Sequence, residues 1–188
     1  VGSRKISAVG AKLAYNAGSI IGKNGFNLVN GLALGCDAEA LKGALAAGGK
    51  CAVVLPCGIN EIYPKSNQWI AEEVLKQGGC LISEYPEGTR PEKYRFVQRD
   101  RLQSGMSQGV LVVEAMEKSG TMHTAEYAKK QNRRLACYYH GLLKYSTGNN
   151  VLENLYQAAV IKTNEDLENY LCEIADIEEY TQLSFDFV

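Results

Sequence analysis

The sequence contains a set of residues whose chemistry suits phosphate groups and aromatic bases. Glycine lets a backbone come close to a phosphate, and the N–H groups at a helix start donate hydrogen bonds to it. Arginine pairs with phosphate oxygens through two N–H groups, and a phenylalanine ring stacks on a base. The candidate phosphate- and nucleic-acid-binding residues are Gly2, Ser3, Arg4, Gly31, Gly35, Arg95, Phe96, Arg99, Arg101, Ser119, Gly120 and Thr121.

Three glycine-bearing loops among these residues have the same form. Gly2-Ser3-Arg4, the loop from Gly31 to Gly35, and Ser119-Gly120-Thr121 each precede a helical pattern. A single glycine after a strand often serves only turn geometry, but three such loops on one rim favour phosphate binding. Neither G-x-G-x-x-G nor G-x-x-x-x-G-K-[ST] occurs, so the dinucleotide fingerprint and the nucleoside triphosphatase loop are absent.

The segment 90–101 interleaves basic and aromatic side chains. These are Arg90, Lys93, Tyr94, Arg95, Phe96, Arg99 and Arg101. Arginines that hold phosphates beside rings that stack on bases are typical of single-stranded nucleic-acid grooves. On composition alone a solvated helix start, with Phe96 as a core anchor, is an equally good interpretation.

Three acidic residues, Asp37, Glu84 and Glu114, fall at the ends of predicted strands. Each could orient a sugar hydroxyl, act as a general acid or base, or cap a helix, and capping is favoured for Asp37. No nucleophile stands beside a base, and the cysteines and two histidines lack zinc-site spacing. The sequence therefore predicts no catalytic residue, no metal site and no cofactor.

Short apolar runs that alternate with helical patterns position these loops. The predicted strands are 26–29, 50–55, 80–83, 110–114, 135–139 and 158–162. The predicted helices are 7–23, 37–47, 66–77, 98–106, 121–132, 149–156 and a last one near 164–174. This order predicts an α/β fold, a doubly wound and mainly parallel sheet with helices on both faces. Ligands of such sheets bind beyond the carboxyl ends of the strands, where the candidate loops fall.

Length and composition bound the class of protein. The 188 residues predict one domain, which we assign to 1–175, followed by a tail at 176–188. All 20 Lys and Arg residues precede Glu165, together with 13 of the 21 acids, so a mildly basic body carries an acidic tail. Cysteines in apolar runs predict a reduced, cytoplasmic protein. No signal peptide and no membrane span of roughly 20 apolar residues is recognisable.

The order of short motifs resembles the DNA-processing protein A (DprA/Smf) family over about residues 1–160. The matching motifs are Gly2-Ser3-Arg4, Gly31-Leu32-Ala33-x-Gly35-x-Asp37, Gly58-Ile59-x-x-x-Tyr63-Pro64, Ser83-Glu84-Tyr85-Pro86, Phe96, Arg99-x-Arg101, Ser104-Gly105-Met106-Ser107 and Ser119-Gly120. The resemblance implies an extended Rossmann-like domain that binds single-stranded DNA without being an enzyme. It further implies a homodimer that assists a RecA-type recombinase, with Gly2-Ser3-Arg4, Phe96, Arg99 and Arg101 contacting the strand.

Several positions depart from the family pattern. The family usually has His where this chain has Leu41, and Asn where it has Asp100; this acid lowers the positive charge of the pocket. Two other functions stay open: a sensor of a small nucleotide, and a nucleotide N-glycoside hydrolase of the related lysine-decarboxylase-like superfamily. Against hydrolysis, Met116-Glu117-Lys118-Ser119 replaces that superfamily's glycine-rich loop, and the next acid, Glu126, lies too late.

The tail carries one further motif. Gln182, Leu183, Phe185 and Phe187 resemble the peptides by which bacterial replication and repair proteins dock on the sliding clamp. Leu183, Phe185 and Phe187 alternate, so an edge strand or strap packed on the chain's own core is an equal alternative.

Overall fold

A computed structural model describes residues 1–175, in which six short strands alternate with seven helices. The strands are β1 Leu28–Asn30, β2 Cys51–Val54, β3 Cys80–Ile82, β4 Gly109–Val112, β5 Arg134–Tyr138 and β6 Ala159–Ile161. The helices are α1 Ala8–Lys23, α2 Cys36–Ala46, α3 Gln68–Lys76, α4 Lys93–Gly105, α5 Thr121–Lys130, α6 Thr147–Tyr156 and α7 Asn164–Ala175. Short 3₁₀ turns lie at Lys65–Asn67 and His140–Leu142. None of these helices is long and apolar enough to cross a membrane.

The strands form two parallel sheets joined by the first residues of the chain. Strands β1, β2 and β3 pair side by side, as do β4, β5 and β6, and every pairing is parallel. Val1 donates to Leu111 O and accepts from Val113 N, and Ser3 N donates to Glu114 O, so the first residues run along β4. Ser3 O accepts from Cys36 N at the start of α2. The predicted doubly wound, parallel α/β fold is confirmed. Its strands are hydrogen-bonded within two separate three-stranded sheets.

Three buried clusters lie between the sheets and the helices. One packs α2 and α3 on β2, the second packs α1 and α7 on β5, and the third packs α5 and α6 on β4. Helices α1 and α2 pack through two glycines. A Cβ on Gly18 would overlap Ala40 O, and one on Gly43 would overlap Tyr15 O. A cavity of about 640 Å³, lined by both polar and apolar residues, lies between β1 and β4.

The predicted elements are present, and the differences are local. Helix α4 begins at Lys93 rather than residue 98. The sequence did not reveal this start because residues 93–97 alternate charged with aromatic or aliphatic side chains and lack the apolar periodicity that marks a helix. The helix predicted at 66–77 begins at Gln68 with Asn67 as its cap residue, and the preceding turn is 3₁₀. Strand β1 runs from Leu28 rather than residue 26. Gly78, which follows the cap residue at the end of α3, has a φ of 76°, the left-handed conformation that favours glycine at a helix end. The tail motif at 182–187 lies outside the described residues.

Candidate nucleic-acid interface

A cavity of about 1050 Å³ opens at the carboxyl ends of the strands. Loops that follow β1, β2, β4 and β5, the first residues of the chain and one face of α4 contribute to its wall. Of the predicted residues, the wall includes Gly2, Ser3, Arg4, Phe96, Arg99, Ser119, Gly120 and Thr121. The parallel topology therefore brings together residues that lie up to 119 positions apart in the chain.

The first wall is the segment that follows the pairing with β4. Gly2 lies against Cys36, whose side chain would overlap a Cβ at that position. Ser3 Oγ donates to Lys5 O at 2.8 Å, which turns the chain so that Arg4 and Lys5 point outward. Two exposed cations thus stand at the mouth of the cavity, and nothing ties them to an acid among the described residues.

Phe96 lies in the centre of an aromatic and cationic cluster. Its ring centroid is 4.9 Å from the Arg4 guanidinium carbon and 6.0 Å from that of Arg99. Tyr63 meets it edge to face, with the centroids 5.6 Å apart. The ring is half-buried and lines the cavity rather than the core clusters. This arrangement suits a stacking platform for a base, with cations beside it.

Arg99 forms the floor and is held by the fold. It is only 4% exposed, and its Nη1 donates to Val54 O at the end of β2 at 2.6 Å. Its Nε has no hydrogen-bond partner among the described residues. A Cβ on Gly31 would overlap the guanidinium, so this glycine admits Arg99 rather than facing a ligand. Burial lowers the pKa of Arg99, although a guanidinium stays charged at neutral pH.

Asp100 lies beside Arg99 on the same floor. Its Oδ1 is 3.4 Å from Arg99 Nε and accepts a hydrogen bond from Gln103 Nε2 at 2.9 Å. Burial raises the pKa of Asp100 to about 6, Arg99 lowers it in part, and the Asp37 charge raises it further. The cavity proposed for a polyanion therefore contains a carboxylate on its floor.

The second wall is the turn that begins α5. Gly120 is the residue before the helix and offers no capping side chain, while Met122 N and His123 N donate to Ser119 O and Gly120 O. The space beside Gly120 is open, and Ser119 Oγ has no hydrogen-bond partner among the described residues. A helix start of this kind, in the same cavity as Arg4, suits an anion.

Arg95 and Arg101 lie on the other side of α4, outside the cavity. Arg101 pairs with both carboxylate oxygens of Glu84, with an Nη2 to Oε2 distance of 2.7 Å. Arg95 lies over the rings of Tyr85 and Tyr94, at 5.1 and 5.3 Å. Gly35 also lies outside the wall. Its φ of 75° and the closeness of Ser3 O explain why it is a glycine.

Two of the acids at strand ends organise the backbone. Asp37 is buried, and its Oδ2 accepts from Gly31 N and Ala33 N, so it shapes that loop instead of capping α2. Glu114 is fully buried and accepts from Ser7 N and Tyr145 N. Both carboxylates therefore hold loops of the backbone in place.

Sequence reasoning missed several residues of the wall. These are Lys5, Val97, Gln103, Thr124 and Tyr145. Tyr63 and Lys93 also line the cavity, and the sequence pointed to them only within a family motif and the basic segment 90–101. The spacing 93, 96, 97, 100 and 103 is that of one helical face, and it would have separated the cavity residues of α4 from Arg95 and Arg101. The correct helix start at 93 was needed to recognise it.

Comparisons with known proteins identify the family of this chain. The family model described as DNA recombination-mediator protein A matches residues 1–171. Protein Smf from Escherichia coli is 40% identical over 135 residues, which are 72% of this chain but only 36% of that relative. A structure of DNA processing protein A from Helicobacter pylori, described for its single-stranded DNA binding mode, has a TM-score of 0.82 at 30% identity. It covers 92% of this chain and 78% of the other. DprA from Streptococcus pneumoniae has a TM-score of 0.77 at 29% identity, and covers 90% of this chain and 59% of the other.

Proposed function

Because the chain belongs to the DNA recombination-mediator protein A family, we propose that it binds single-stranded DNA in the cavity beside α4. The chain spans between 33% and 45% of the length of the Smf and DprA relatives from Synechocystis, E. coli and Bacillus subtilis. The activities of those longer proteins therefore enter here as proposals.

One arrangement supports this proposal most strongly: Phe96, flanked by Arg4, within a cavity whose opposite wall is the start of α5. A base stacks on the ring while the neighbouring phosphates meet Arg4 and the N–H groups near Gly120. The contacts use the backbone and the face of a base, so we expect little sequence preference from them and a marked dependence on salt.

Titration of a labelled oligo-dT strand with the purified protein tests the proposal. We expect binding at low salt that weakens linearly in a plot of log K against log salt, with a slope of about −0.7 for each phosphate contact. Undetectable binding at low salt would contradict strand binding. Mononucleotides that compete with the strand at micromolar concentration would instead favour the nucleotide sensor.

We propose that the protein is not a hydrolase. General acid–base catalysis needs a free group within reach of the leaving atom, and Glu114 and Asp37 are occupied by backbone N–H groups. Glu126 is not part of the cavity wall. Incubation with nucleoside monophosphates should release no free base. Release that is lost on Glu114→Gln or Glu126→Gln would overturn this.

The resemblance to the family motivates two partner proposals, and the motif in the tail motivates a third. We propose a homodimer, assistance to a RecA-type recombinase, and docking of Gln182, Leu183, Phe185 and Phe187 on a sliding clamp. Sedimentation analysis tests the dimer, and recombinase loading on coated single strands tests the second. For the third, the intact chain is compared with one that ends at Thr181 in a titration with the clamp. Equal binding by both forms removes the docking proposal.

A further inference from the structure

The floor of the cavity contains a group that no phosphate will contact. Asp100 lines the cavity with its side chain 13% exposed. A carboxylate repels a phosphate, so the part of a bound strand that meets Asp100 is a neutral group with hydrogen-bond donors. In a nucleic acid such donors lie on the edges of the bases.

The carboxylate is oriented before any ligand arrives. Gln103 Nε2 donates to Oδ1 at 2.9 Å, and Arg99 Nε lies 3.4 Å from the same oxygen. Oδ2 has no hydrogen-bond partner among residues 1–175, and Oδ1 retains a second lone pair. At pH 7.5 a carboxyl with a pKa of about 6 is mostly ionised, so it presents acceptors and no donor.

Its position relative to Phe96 decides which part of a base it meets. The two residues are four positions apart on α4, so they are neighbours on one helical face, with Cβ atoms roughly 5–6 Å apart. A base stacked on the Phe96 ring therefore turns an edge toward Asp100.

We propose that Asp100 gives this site a preference for guanine, an inference that rests on the proposed strand binding. Guanine presents N1–H and an N2 amino hydrogen side by side, and one carboxylate accepts both. Adenine and cytosine place a ring nitrogen acceptor beside their amino group, and thymine presents one N–H between two carbonyls. Acceptors of that kind face the charge of Asp100 unfavourably.

The experiment compares three labelled strands of roughly 20 nucleotides: all-thymine, thymine with an isolated guanine at every fourth position, and the same strand with inosine in place of guanine. Inosine lacks the N2 amino group. We expect the wild-type protein to bind the guanine strand about tenfold more tightly than all-thymine, with inosine between them, as a lost bidentate pair implies.

Asp100→Asn keeps the shape but replaces one acceptor with a donor. We expect its guanine preference to fall to within about twofold, together with tighter binding of all-thymine because a negative charge is gone. Glu72→Gln, which removes an equal charge from the exposed face of α3, is the matched control and keeps the preference. Thermal melting checks that each variant is folded. If Asp100→Asn does not fold, the inosine strand tests the same contact on the wild type.

Equal affinities of the wild type for all three strands overturn the guanine inference while strand binding stands. A preference that persists in folded Asp100→Asn also overturns it. Failure of the wild type to bind any strand at low salt contradicts the proposed function itself, and the guanine inference with it.

Discussion

Helix α4 carries arginines and aromatic rings on two faces, and the fold treats the two faces differently. On the cavity face Arg99 is buried, bonded to Val54 O and packed against Gly31. On the outer face Arg101 is an exposed ion pair with Glu84, its side chain 44% exposed. Similar residue types in one helix thus give a fixed, desolvated cation on one side and a solvent-screened one on the other.

The glycines of the motifs also serve two different purposes. Gly31 makes room for a side chain of the site, whereas Gly120 leaves open space for a ligand. Both fit the pattern of a phosphate-binding loop in the sequence, and only the packing distinguishes them.

The largest effect is expected from Arg99→Ala. Its removal leaves Val54 O unpaired, opens a void and takes the partner from Asp100, which together cost about 3 kcal/mol or more of unfolding free energy. Gly31→Ala disturbs the same contact from the other side and should also destabilise. Urea unfolding measures both. A loss of less than about 0.5 kcal/mol of unfolding free energy for Arg99→Ala would show that Arg99 contributes no more to stability than an exposed arginine.

Phe96→Ala is expected to weaken oligo-dT binding by roughly 1–3 kcal/mol, because a base loses its stacking partner. Tyr94→Ala, which removes an exposed ring from the same helix outside the cavity, is the matched control and should have a smaller effect. Fluorescence anisotropy measures both affinities. If Phe96→Ala lowers the melting temperature strongly and leaves the affinity unchanged, Phe96 is a core anchor, the alternative left open by the sequence.

Asp100→Asn is expected to stabilise the protein at pH 8 by about 1–3 kcal/mol and to change little at pH 4. The pKa of Asp100 is raised in the folded state to about 6 from 3.8, so the folded protein holds this proton more tightly than the unfolded chain. The free energy of unfolding therefore falls as the pH rises from about 4 to about 6. Above pH 6 the ionised, desolvated carboxylate keeps the folded protein less stable. Arg99, Asp37, His123 and Arg4 are the charged or titratable neighbours.

Urea unfolding of both proteins across that pH range measures the difference. A difference in unfolding free energy that is the same at pH 4 and pH 8 would show that desolvation of the Asp100 carboxylate is not its source.

The smallest effect is expected from Arg101→Ala. An exposed ion pair contributes little, so the unfolding free energy should change by less than about 0.5 kcal/mol. Glu84→Gln should behave alike, and a double-mutant cycle by urea unfolding gives the coupling directly. A coupling above about 1 kcal/mol would show that the outer face is as strongly organised as the cavity face.

The fold was predictable from the sequence because its signals are local. Runs such as Cys51–Val54 are apolar on both faces, and Gly78 marks the end of α3. The start of α4 was not predictable in this way, since in residues 93–97 charged side chains alternate with aromatic or aliphatic ones and the apolar periodicity of a helix is missing.

For the site, we used the rule that ligands bind beyond the carboxyl ends of parallel strands. This rule correctly placed Gly2-Ser3-Arg4 and Ser119-Gly120-Thr121 in one cavity. It did not separate Arg99 from Arg101, two residues apart in the chain, because their difference lies in which long-range partner each one meets. Val54 and Glu84 are 45 and 17 positions away, and only the folded chain brings them to α4.

The salt dependence of oligo-dT binding, measured for Arg4→Ala beside Arg101→Ala, tests most directly whether the strand lies on the cavity face. Arg4 stands over Phe96 at the cavity mouth, whereas Arg101 is paired on the outer face. We predict that Arg4→Ala weakens binding and flattens the log–log slope by about 0.7, the value of one phosphate contact, while Arg101→Ala leaves the slope unchanged. Equal flattening by both variants, or a larger effect of Arg101→Ala, would contradict binding confined to the cavity.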